Sequence, residues 1–330
     1  MKRSYEIEFG RPDTLPAAMS RFGKSELAAR SALRGRALAV YVFCCAVWGS
    51  TWLVIRVGVR DFPPLTFAGL RMGLACLLLT PLAWVRSRSE RPTSPTEWRY
   101  VAWCGLLQIG LSYAGIFVAA RWIESGLSAL LFSSFPIWVA VFAQYMLPLE
   151  PLTARGAVAA SLGLAGVVVI EGPAALRAVG GQTGPLFWGG LLVVASAVIS
   201  AYSNVILKKR LGGVPAARNL WGQTLVGSAF LFVCAGAFER GLSIRWTAGS
   251  AAALAYLVVF GTVLTFVGLF WLVRRVPVAV IGTIPLVDML IAVLLGAVFL
   301  GEALPARVLF GGVLILAGVI LTSRAPAGGS

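Results

Sequence analysis

Histidine is absent from this chain of 330 residues, and charged residues make up only 12% of it. Without histidine the chain lacks the commonest proton shuttle and metal ligand of proteins. An ordinary soluble domain carries about 25% charged residues, so this sequence has too little polar surface to cover a soluble globule. Hydrophobic residues instead make up 58% of the chain. The composition therefore predicts a polytopic membrane protein.

Motifs of several enzyme classes are also missing. The sequence has no phosphate-binding glycine-rich loop with lysine, no His-Glu-x-x-His, no Gly-x-Ser-x-Gly and no pair of aspartates inside a span. Its five cysteines all lie in apolar runs and lack the spacing of a metal site or a disulfide framework. We therefore expect no enzymatic activity, no cofactor and no metal, although an intramembrane enzyme stays open as an alternative.

Basic residues outnumber acidic ones and give a net charge of +15. Almost all of them lie in short loops between apolar runs or in the N-terminal tail, which argues against a nucleic-acid partner. Lysine and arginine in short loops mark the cytoplasmic side of membrane proteins. The pattern predicts that the N and C termini are both cytoplasmic. The tail, residues 1–36, is either a basic amphipathic helix from Arg21 to Arg36 or disordered, and we favour disorder.

Apolar runs separated by turn residues recur along the chain. A helix of about 20 apolar residues crosses the hydrocarbon core of a bilayer. The predicted fold is an all-α membrane protein with ten transmembrane helices. They lie at about 38–58, 64–85, 99–120, 125–147, 154–171, 185–206, 218–238, 249–273, 277–300 and 305–323.

The two halves of the chain are similar at a constant offset of about 152 residues. The offset pairs Arg56 with Lys208, Arg71 with Gln223, and Glu150 with Glu302. Glu150 and Glu302 lie in matched short loops and are interpreted as hinge or helix-end contacts. Between the third and eighth spans the register slips by one residue. Five spans in each half place the second half upside-down relative to the first, an arrangement typical of secondary transporters. The predicted repeats are 37–172 and 185–324, with a connecting loop at 173–184 and a short tail at 325–330.

Three motifs in the first half resemble the EamA family of the drug/metabolite transporter superfamily. They are WGSTW at 48–52, the spacing of Pro63, Phe67 and Arg71, and LPLEPLTARG at 147–156. FLGEALPARVLFGGVLILAGVIL at 299–321 resembles the same family in the second half. The resemblance implies two inverted five-helix repeats around a central cavity. It also implies an inner-membrane carrier, often an exporter of amino acids or related metabolites.

Arg71 and Asp288 are the two charged residues that lie well inside predicted spans. Ionisable residues are costly in a membrane and face protein, a cavity or a partner. Arg71 either binds a substrate carboxylate or makes an ion pair or carbonyl contacts within the protein. Asp288 either binds a coupling proton or a cationic group, or is hydrogen-bonded to a neighbouring helix or paired with Arg71.

Two prolines interrupt spans at related depths, Pro136 in the fourth and Pro285 in the ninth. Proline frees a backbone carbonyl, and discontinuous helices line the sites of many transporters. A simple packing kink is the alternative for both. Ser133 and Ser134 add hydroxyl groups beside the first break.

Further polar and aromatic residues within spans are candidates for a substrate cavity. Each of them is alternatively a helix-to-helix hydrogen bond or a packing residue. They are Trp48, Gln108, Tyr113, Gln144, Tyr202, Asn204, Gln223 and Trp271. Glycine-containing faces at residues 69–73, 156–163 and 311–318 predict close helix contacts within the monomer, and a homodimer face stays open.

These observations predict a secondary transporter that moves a small polar metabolite by alternating access, outward and with proton coupling. Its partners are then a small-molecule substrate, membrane lipid and a coupling proton. A carrier for lipophilic cations or drugs is the first alternative. A membrane receptor or scaffold that transports nothing is the second.

Overall fold

A computed structural model describes residues 17–87, 92–147, 154–179, 184–273, 275, 284–303 and 305–323. Within these ranges every regular element is a helix and no strand occurs. The elements of the first half are α1 (Ala17–Gly58), α2 (Pro64–Ser87), α3 (Pro95–Cys104), π-helical turns at Gly105–Leu111, α4 (Ser112–Ala119), α5 (Ser125–Phe132), α6 (Phe135–Met146) and α7 (Ala154–Val179). Those of the second half are α8 (Pro185–Leu211), α9 (Ala216–Phe238), α10 (Ala248–Val258), π-helical turns at Val259–Leu264, α11 (Thr265–Val273), α12 (Ile284–Leu300) and α13 (Ala306–Ser323).

Seven helical stretches of the described chain are long and apolar enough to cross a membrane. They are Gly35–Gly58, Pro64–Val85, Pro95–Ala119, Ser125–Met146, Pro185–Leu211, Ala216–Phe238 and Ala248–Leu269. Shorter apolar stretches at Ser161–Ile170, Val287–Leu300 and Ala306–Gly318 lie where the fifth, ninth and tenth spans were predicted. The all-α membrane class is confirmed, whereas the count of ten membrane crossings stays a prediction.

Helix α1 starts well before the membrane-crossing stretch. Its backbone is helical from Ala17 to Gly58 without interruption. The predicted disorder of the tail is therefore wrong for residues 17–36. The first 16 residues of the tail lie outside the described part of the chain. Gly35 and Gly58 bound the part of α1 that is apolar enough to cross the membrane.

The first helices of the two halves run in opposite directions. Helix α1 finishes near Arg56, at the end of the bundle that also holds Glu124 and Glu302; we call this the Glu302 end. Helix α8 begins there, since a Cβ on Gly189 would lie 2.6 Å from Ile123 Cγ2. At the other end Leu211, the last residue of α8, joins a cluster of buried residues with the α3 side chains.

Two large apolar clusters hold the bundle together. The first joins the end of α1 to α2, α4, α9 and α10 around the fully buried ring of Phe67. The second joins α5 and α8 to α12 and α13 around Leu131 and Ala292. Exposed leucine, valine and phenylalanine side chains cover the outside of the helices, as expected where apolar side chains face lipid.

The fourth span is divided at Ser133 and Ser134 into α5 and α6. Pro136 lies in the first turn of α6, where its missing N–H costs no helical hydrogen bond. The helix is divided just before Pro136, and a role of Pro136 as a functional helix break stays a prediction. Helix α5 packs on α12, whereas α6 packs on α8. Pro285 is the second residue of α12, and because residues 276–283 lie outside the described chain, a break of the ninth span there stays a prediction.

Glycines allow α7 and α13 to pack backbone against backbone. A Cβ on Gly166 would lie 2.5 Å from the Gly311 carbonyl oxygen, and one on Gly318 would lie 2.5 Å from the Ala159 carbonyl oxygen. Gly69 and Gly73 of α2 similarly receive the ring of Phe232 from α9. These small-residue faces pack within the monomer, as the sequence predicted.

Replacing Gly311 by leucine is expected to destabilise the fold by about 2 kcal/mol, because overpacking forces neighbouring atoms apart. A Cβ there would already lie 2.5 Å from Ile170 Cγ1. Thermal unfolding of the purified protein in detergent measures the effect. Gly236→Leu is the matched control, since no atom lies within 4 Å of a Cβ at that position. Equal unfolding temperatures for the two variants would contradict the backbone-to-backbone packing.

Candidate functional site

Arg71 lies in the middle of the bundle with only 3% of its surface exposed. Its Nε donates to Thr262 Oγ1 at 3.2 Å, and its Nη2 donates to the Gly261 carbonyl at 3.3 Å. The guanidinium carbon lies over the rings of Tyr113, at 5.3 Å, and Phe117, at 5.9 Å. Carbonyl dipoles and aromatic faces therefore stabilise the positive charge.

No acidic side chain of the described residues pairs with Arg71, and Nη1 of its guanidinium has no acceptor among them. A guanidinium has five N–H donors in a planar fork that matches a carboxylate. Two of its three nitrogen atoms are held by the protein, and the third is left for another acceptor. The carbonyl contact of the structural alternative is therefore present, the ion pair with an acidic side chain is not found among the described residues, and the anion site stays a prediction.

The acceptors of Arg71 belong to the π-helical turns Val259–Leu264. Thr262 Oγ1 donates to the Leu257 carbonyl at 3.0 Å, five residues back, so its lone pairs remain for the Arg71 Nε–H. Thr265 Oγ1 likewise donates to the Phe260 carbonyl, at 2.6 Å. Turns of π-helix inside longer helices occur frequently at functional sites. Here the π-helical turns aim one carbonyl and one hydroxyl at the buried guanidinium.

The other half of the chain repeats this arrangement with a neutral residue. Gln223, the counterpart of Arg71, lies against the π-helical turns Gly105–Leu111, and a Cβ on Gly105 would lie 2.8 Å from the Gln223 carbonyl oxygen. The Gln223 amide donates to Asn219 Oδ1 of its own helix at 2.9 Å. The second span of each half thus faces the π-helical turns of the other, and only Arg71 is charged.

Asp288 is half-buried on α12, beside a different face of α1. It lies within electrostatic reach of the Cys45 thiol, and a Cβ on Gly49 would lie 2.8 Å from its backbone oxygen. Thr51 of α1 instead faces Gly261, whose Cβ position is 3.1 Å from Thr51 Cγ2. Two residues along an α-helix turn through about 200°, so Arg71 and Asp288 lie on opposite sides of α1.

The interpretation of Asp288 as a fixed partner of Arg71 is therefore wrong. Among the residues that the structure describes, no side chain donates a hydrogen bond to its carboxyl group. A neighbouring-helix hydrogen bond is not found there either. Asp288 remains an acid inside a span without a side-chain partner.

The other predicted residues fall into separate groups. Tyr113 lies at Arg71, and Trp48 and Trp271 pack around the same apolar cluster as Cys45, near Asp288. The side-chain Oε1 of Gln108 accepts from Asn204 Nδ2 at 3.0 Å. Gln108 and Asn204 thus join α8 to the π-helical turns Gly105–Leu111, which is the helix-to-helix alternative.

Tyr202 does not join the residues around Arg71. It packs on Phe142, with ring centroids 5.4 Å apart, and belongs to the cluster at the far end from Glu302. Gln144 is half-buried on α6 and has an interaction partner of its own. Neither contact identifies a ligand site.

Sequence reasoning missed several polar contacts inside the bundle. Ser50 Oγ and Tyr256 Oη lie 2.7 Å apart, which joins α1 to α10. The indole N–H of Trp138 on α6 is buried and lacks an acceptor among the described residues. Serine and tryptophan are common in apolar spans, so their type alone does not mark them. The described residues also hold no group of three potential metal ligands.

Among the described residues, the site thus consists of a buried arginine without an acidic partner and a separate aspartate without a side-chain partner. Both lie in a helical bundle whose apolar stretches are long enough to cross a membrane. A sequence profile of the EamA-like transporter family matches residues 36–172 and 187–324, one match for each half. The chain belongs to the EamA-like transporter family.

Several known proteins are similar to this chain over most of its length and of their own. The uncharacterized transporter YoaV of Bacillus subtilis is 25% identical over 279 residues, covering 84% of this chain and 93% of YoaV. The uncharacterized inner membrane transporter YedA of Escherichia coli K12 is 27% identical over 293 residues, covering 88% and 90%. Protein PecM of Dickeya dadantii is 26% identical over 292 residues, covering 86% and 90%.

A solved structure, described only as the crystal structure of a protein, has a similar fold. It superposes with a TM-score of 0.59 and 21% identity, covering 88% of this chain and 97% of the other. Family and relatives together identify a multi-pass membrane transporter. This assignment confirms the family resemblance that the motifs at 48–52 and 147–156 predicted.

Proposed function

We propose that the protein is a secondary transporter that exports a small polar metabolite with a carboxylate group, such as an amino acid. The observation that carries this proposal is the Arg71 guanidinium, which is buried and has no acidic partner among the described residues. A carboxylate that docks on its unused nitrogen would be held by charge-assisted hydrogen bonds. Tyr113 and Phe117 would form the walls beside it.

Ten membrane crossings in two inverted five-helix repeats belong to the same proposal. The opposite directions of α1 and α8 support it, as do the π-helical turns at matching places of the two halves. An inverted pair of repeats can exchange conformations and so open the site to alternate sides. Under this proposal the Glu302 end faces outside, and both termini are cytoplasmic.

Proton coupling is assigned to Asp288 in the same proposal. Acids within spans act as proton relays in many pumps and transporters. The separation of Asp288 from Arg71 by α1 supports distinct proton and substrate sites. The remaining candidates are proposed to line the path of the substrate through the bundle; they are Trp48 and Trp271 near Asp288, and Gln144, Gln223 and Tyr202 elsewhere.

A competition screen on purified protein tests the substrate class. A ligand that binds only the folded state raises the unfolding temperature as its concentration exceeds its Kd. We expect stabilisation by one or a few amino acids at millimolar concentration, and counterflow of the same compounds in proteoliposomes. Tetraphenylphosphonium is the probe for the alternative, a carrier of lipophilic cations, which Asp288 would favour.

The screen separates the three classes of function. Stabilisation and counterflow with tetraphenylphosphonium but with no amino acid would replace the proposal by cation efflux. Binding of amino acids without counterflow in sealed vesicles would indicate a receptor. The direction of transport follows from comparing inside-out with right-side-out vesicles.

A further inference from the structure

Three spans from both halves of the chain meet at the Glu302 end. Helix α1 ends there, α5 begins there, and α12 ends there just before Glu302. The side chain of Glu302 is 4% exposed, although it lies in the short loop between α12 and α13. A carboxylate buried at the end of a bundle requires compensating donors.

Helix α5 supplies most of those donors. Glu302 Oε1 accepts from the Ser125 backbone N–H at 2.8 Å, and Oε2 accepts from the Gly126 N–H at 2.9 Å. The Ser125 hydroxyl lies 2.9 Å from both carboxylate oxygens. The first N–H groups of a helix have no partner within the helix and favour negative charge. Glu302 of the second half therefore caps α5 of the first half.

Arg56 completes the cluster from the end of α1. Its Nε lies 3.4 Å from Glu302 Oε1, and its Nη1 donates to the carbonyls of Ala120 and Ile123, at the end of the third span. The two side chains thus join the end of the third span to the start of the fourth. Burial and Glu302 raise the pKa of the nearby Glu124 carboxyl, and Arg56 lowers it, consistent with this close group of charges.

The helices beneath the ion pair are in direct contact. A Cβ on Gly126 would lie 3.3 Å from Val293 Cα, and one on Gly296 would lie 3.0 Å from Ser125 Oγ. Glycine at both positions lets α5 and α12 approach without intervening side chains. We call this contact of α5 with α12 the seam between the two halves. The seam is closed at the Glu302 end.

The fourth span is divided at Ser133 and Ser134, between this seam and α6. Helix α5 packs on α12, α8 and α1, whereas α6 packs mainly on α8. A movement of α12 away from α5 would open the Glu302 end without first disturbing the contact of α6 with α8. Arg56 and Glu302, from opposite halves of the chain, form an ion pair beside this seam.

We propose that Arg56 and Glu302, with the N-terminus of α5, form the gate that closes the outer side of the transporter and that breaks once in each transport cycle. The proposal rests on the proposed transport function and orientation. It adds that, when the outer side opens, the Glu302 carboxylate of one half separates from the first N–H groups of α5 in the other half. Both then bind water instead of each other. Glu302 and Arg56 are thus required for closure and are not substrate contacts.

The test measures access to the seam rather than transport. Ser128 lies one turn further into α5 and is 3% exposed, so Ser128→Cys, in a variant whose native cysteines are alanine, reports opening. Glu302→Gln keeps the shape of the side chain but removes its charge and places an amide donor against backbone N–H groups. We expect labelling by a membrane-impermeant maleimide to become about tenfold faster, as expected from the loss of one charge-assisted contact.

Glu239→Gln is the matched control. Glu239 caps α2 at the same end of the bundle, accepting from the N–H groups of Leu65 and Thr66, both at 2.8 Å. Its helix, α9, packs along α2, so loss of this cap leaves the α5–α12 seam intact. We expect the labelling rate of Ser128→Cys to stay within about twofold of the rate without the Glu239 substitution, far less than the change expected for Glu302→Gln at the seam.

Arg56→Gln keeps the proposal testable if Glu302→Gln fails to fold. It removes the ion pair while the donors of α5 remain on Glu302, and it should also accelerate labelling. Unchanged labelling in Arg56→Gln, or equal acceleration in Glu239→Gln, would overturn the gate. Labelling of right-side-out and inside-out vesicles shows which side the seam opens to; acceleration only from the cytoplasmic side would overturn its assignment as the outer gate.

A disulfide between α5 and α12 provides an independent test of the gate. Cysteines at 126 and 293 would lie next to each other, since a Cβ at 126 would be 3.3 Å from Val293 Cα. Oxidation should abolish counterflow of the amino acid found in the screen, and reduction should restore it. Full counterflow in the oxidised protein would overturn the gate. Because labelling needs no substrate, failure of the gate and failure of the proposed substrate class are distinguishable.

Discussion

Substituting Arg71 with glutamine is expected to weaken binding of a carboxylate substrate by about 30-fold. The estimate corresponds to the loss of a hydrogen bond to a charged group, worth about 2 kcal/mol. Glutamine retains a donor for the Gly261 carbonyl or Thr262 hydroxyl that Arg71 now contacts. The neutral side chain offers no charge and no fork to the substrate. Binding of the substrate and of its carboxamide analogue, each followed by thermal shift, gives the measurement.

The carboxamide comparison separates substrate recognition from general damage to the fold. If Arg71 binds the carboxylate, the substitution should reduce affinity for the acid far more than affinity for the amide. Arg210→Gln is the matched control: its guanidinium also lies over a ring, that of Tyr100 at 5.3 Å, but at an exposed end of α8. An equal loss for acid and amide would assign Arg71 to structure alone.

Substituting Asp288 with asparagine is expected to remove the coupling of transport to the proton gradient. The amide has the same size and cannot bind or release a proton in this pH range, so accumulation driven by a pH gradient should fall at least about tenfold. Counterflow, which needs no net proton movement, should persist. Both rates are measured in proteoliposomes across a pH series.

Asp61→Asn is the control for this second substitution. Asp61 lies outside the membrane-crossing stretches, where its Oδ2 accepts from the Thr247 hydroxyl at 2.7 Å. Its replacement should leave the pH profile unchanged. The same rate and the same pH profile in Asp288→Asn as in the unsubstituted protein would remove Asp288 from the mechanism.

The membrane class and the repeat could be predicted because both are properties of residue patterns along the chain. Low charge and long apolar runs predicted the helical spans, and the offset of about 152 residues predicted the equivalence of Arg71 and Gln223. The one-residue slip of that register falls on the two spans that contain π-helical turns. A π-turn closes its hydrogen bond one residue later than an α-turn, so it accommodates such a slip.

The surroundings of the charged residues could not be predicted in the same way. Whether Arg71 meets a carbonyl or a carboxylate depends on how α2 lies against α10, which no local pattern specifies. The pair of Arg56 and Glu302 joins residues from opposite halves of the chain. The sequence predicted a helix-end contact for Glu302, which the structure confirms, but not which helix it caps. The matched loop residue Glu150 lies outside the described residues.

The unbroken course of α1 has a mechanical consequence. The part of α1 before Gly35 extends about 27 Å at 1.5 Å per residue, nearly the thickness of the hydrocarbon core. A stiff arm of this length, continuous with the span that carries Arg56, magnifies any tilt of that span. A rotation of only 10° would displace its far tip by about 5 Å. A fluorophore on the arm would therefore register each opening and closing from outside the bilayer.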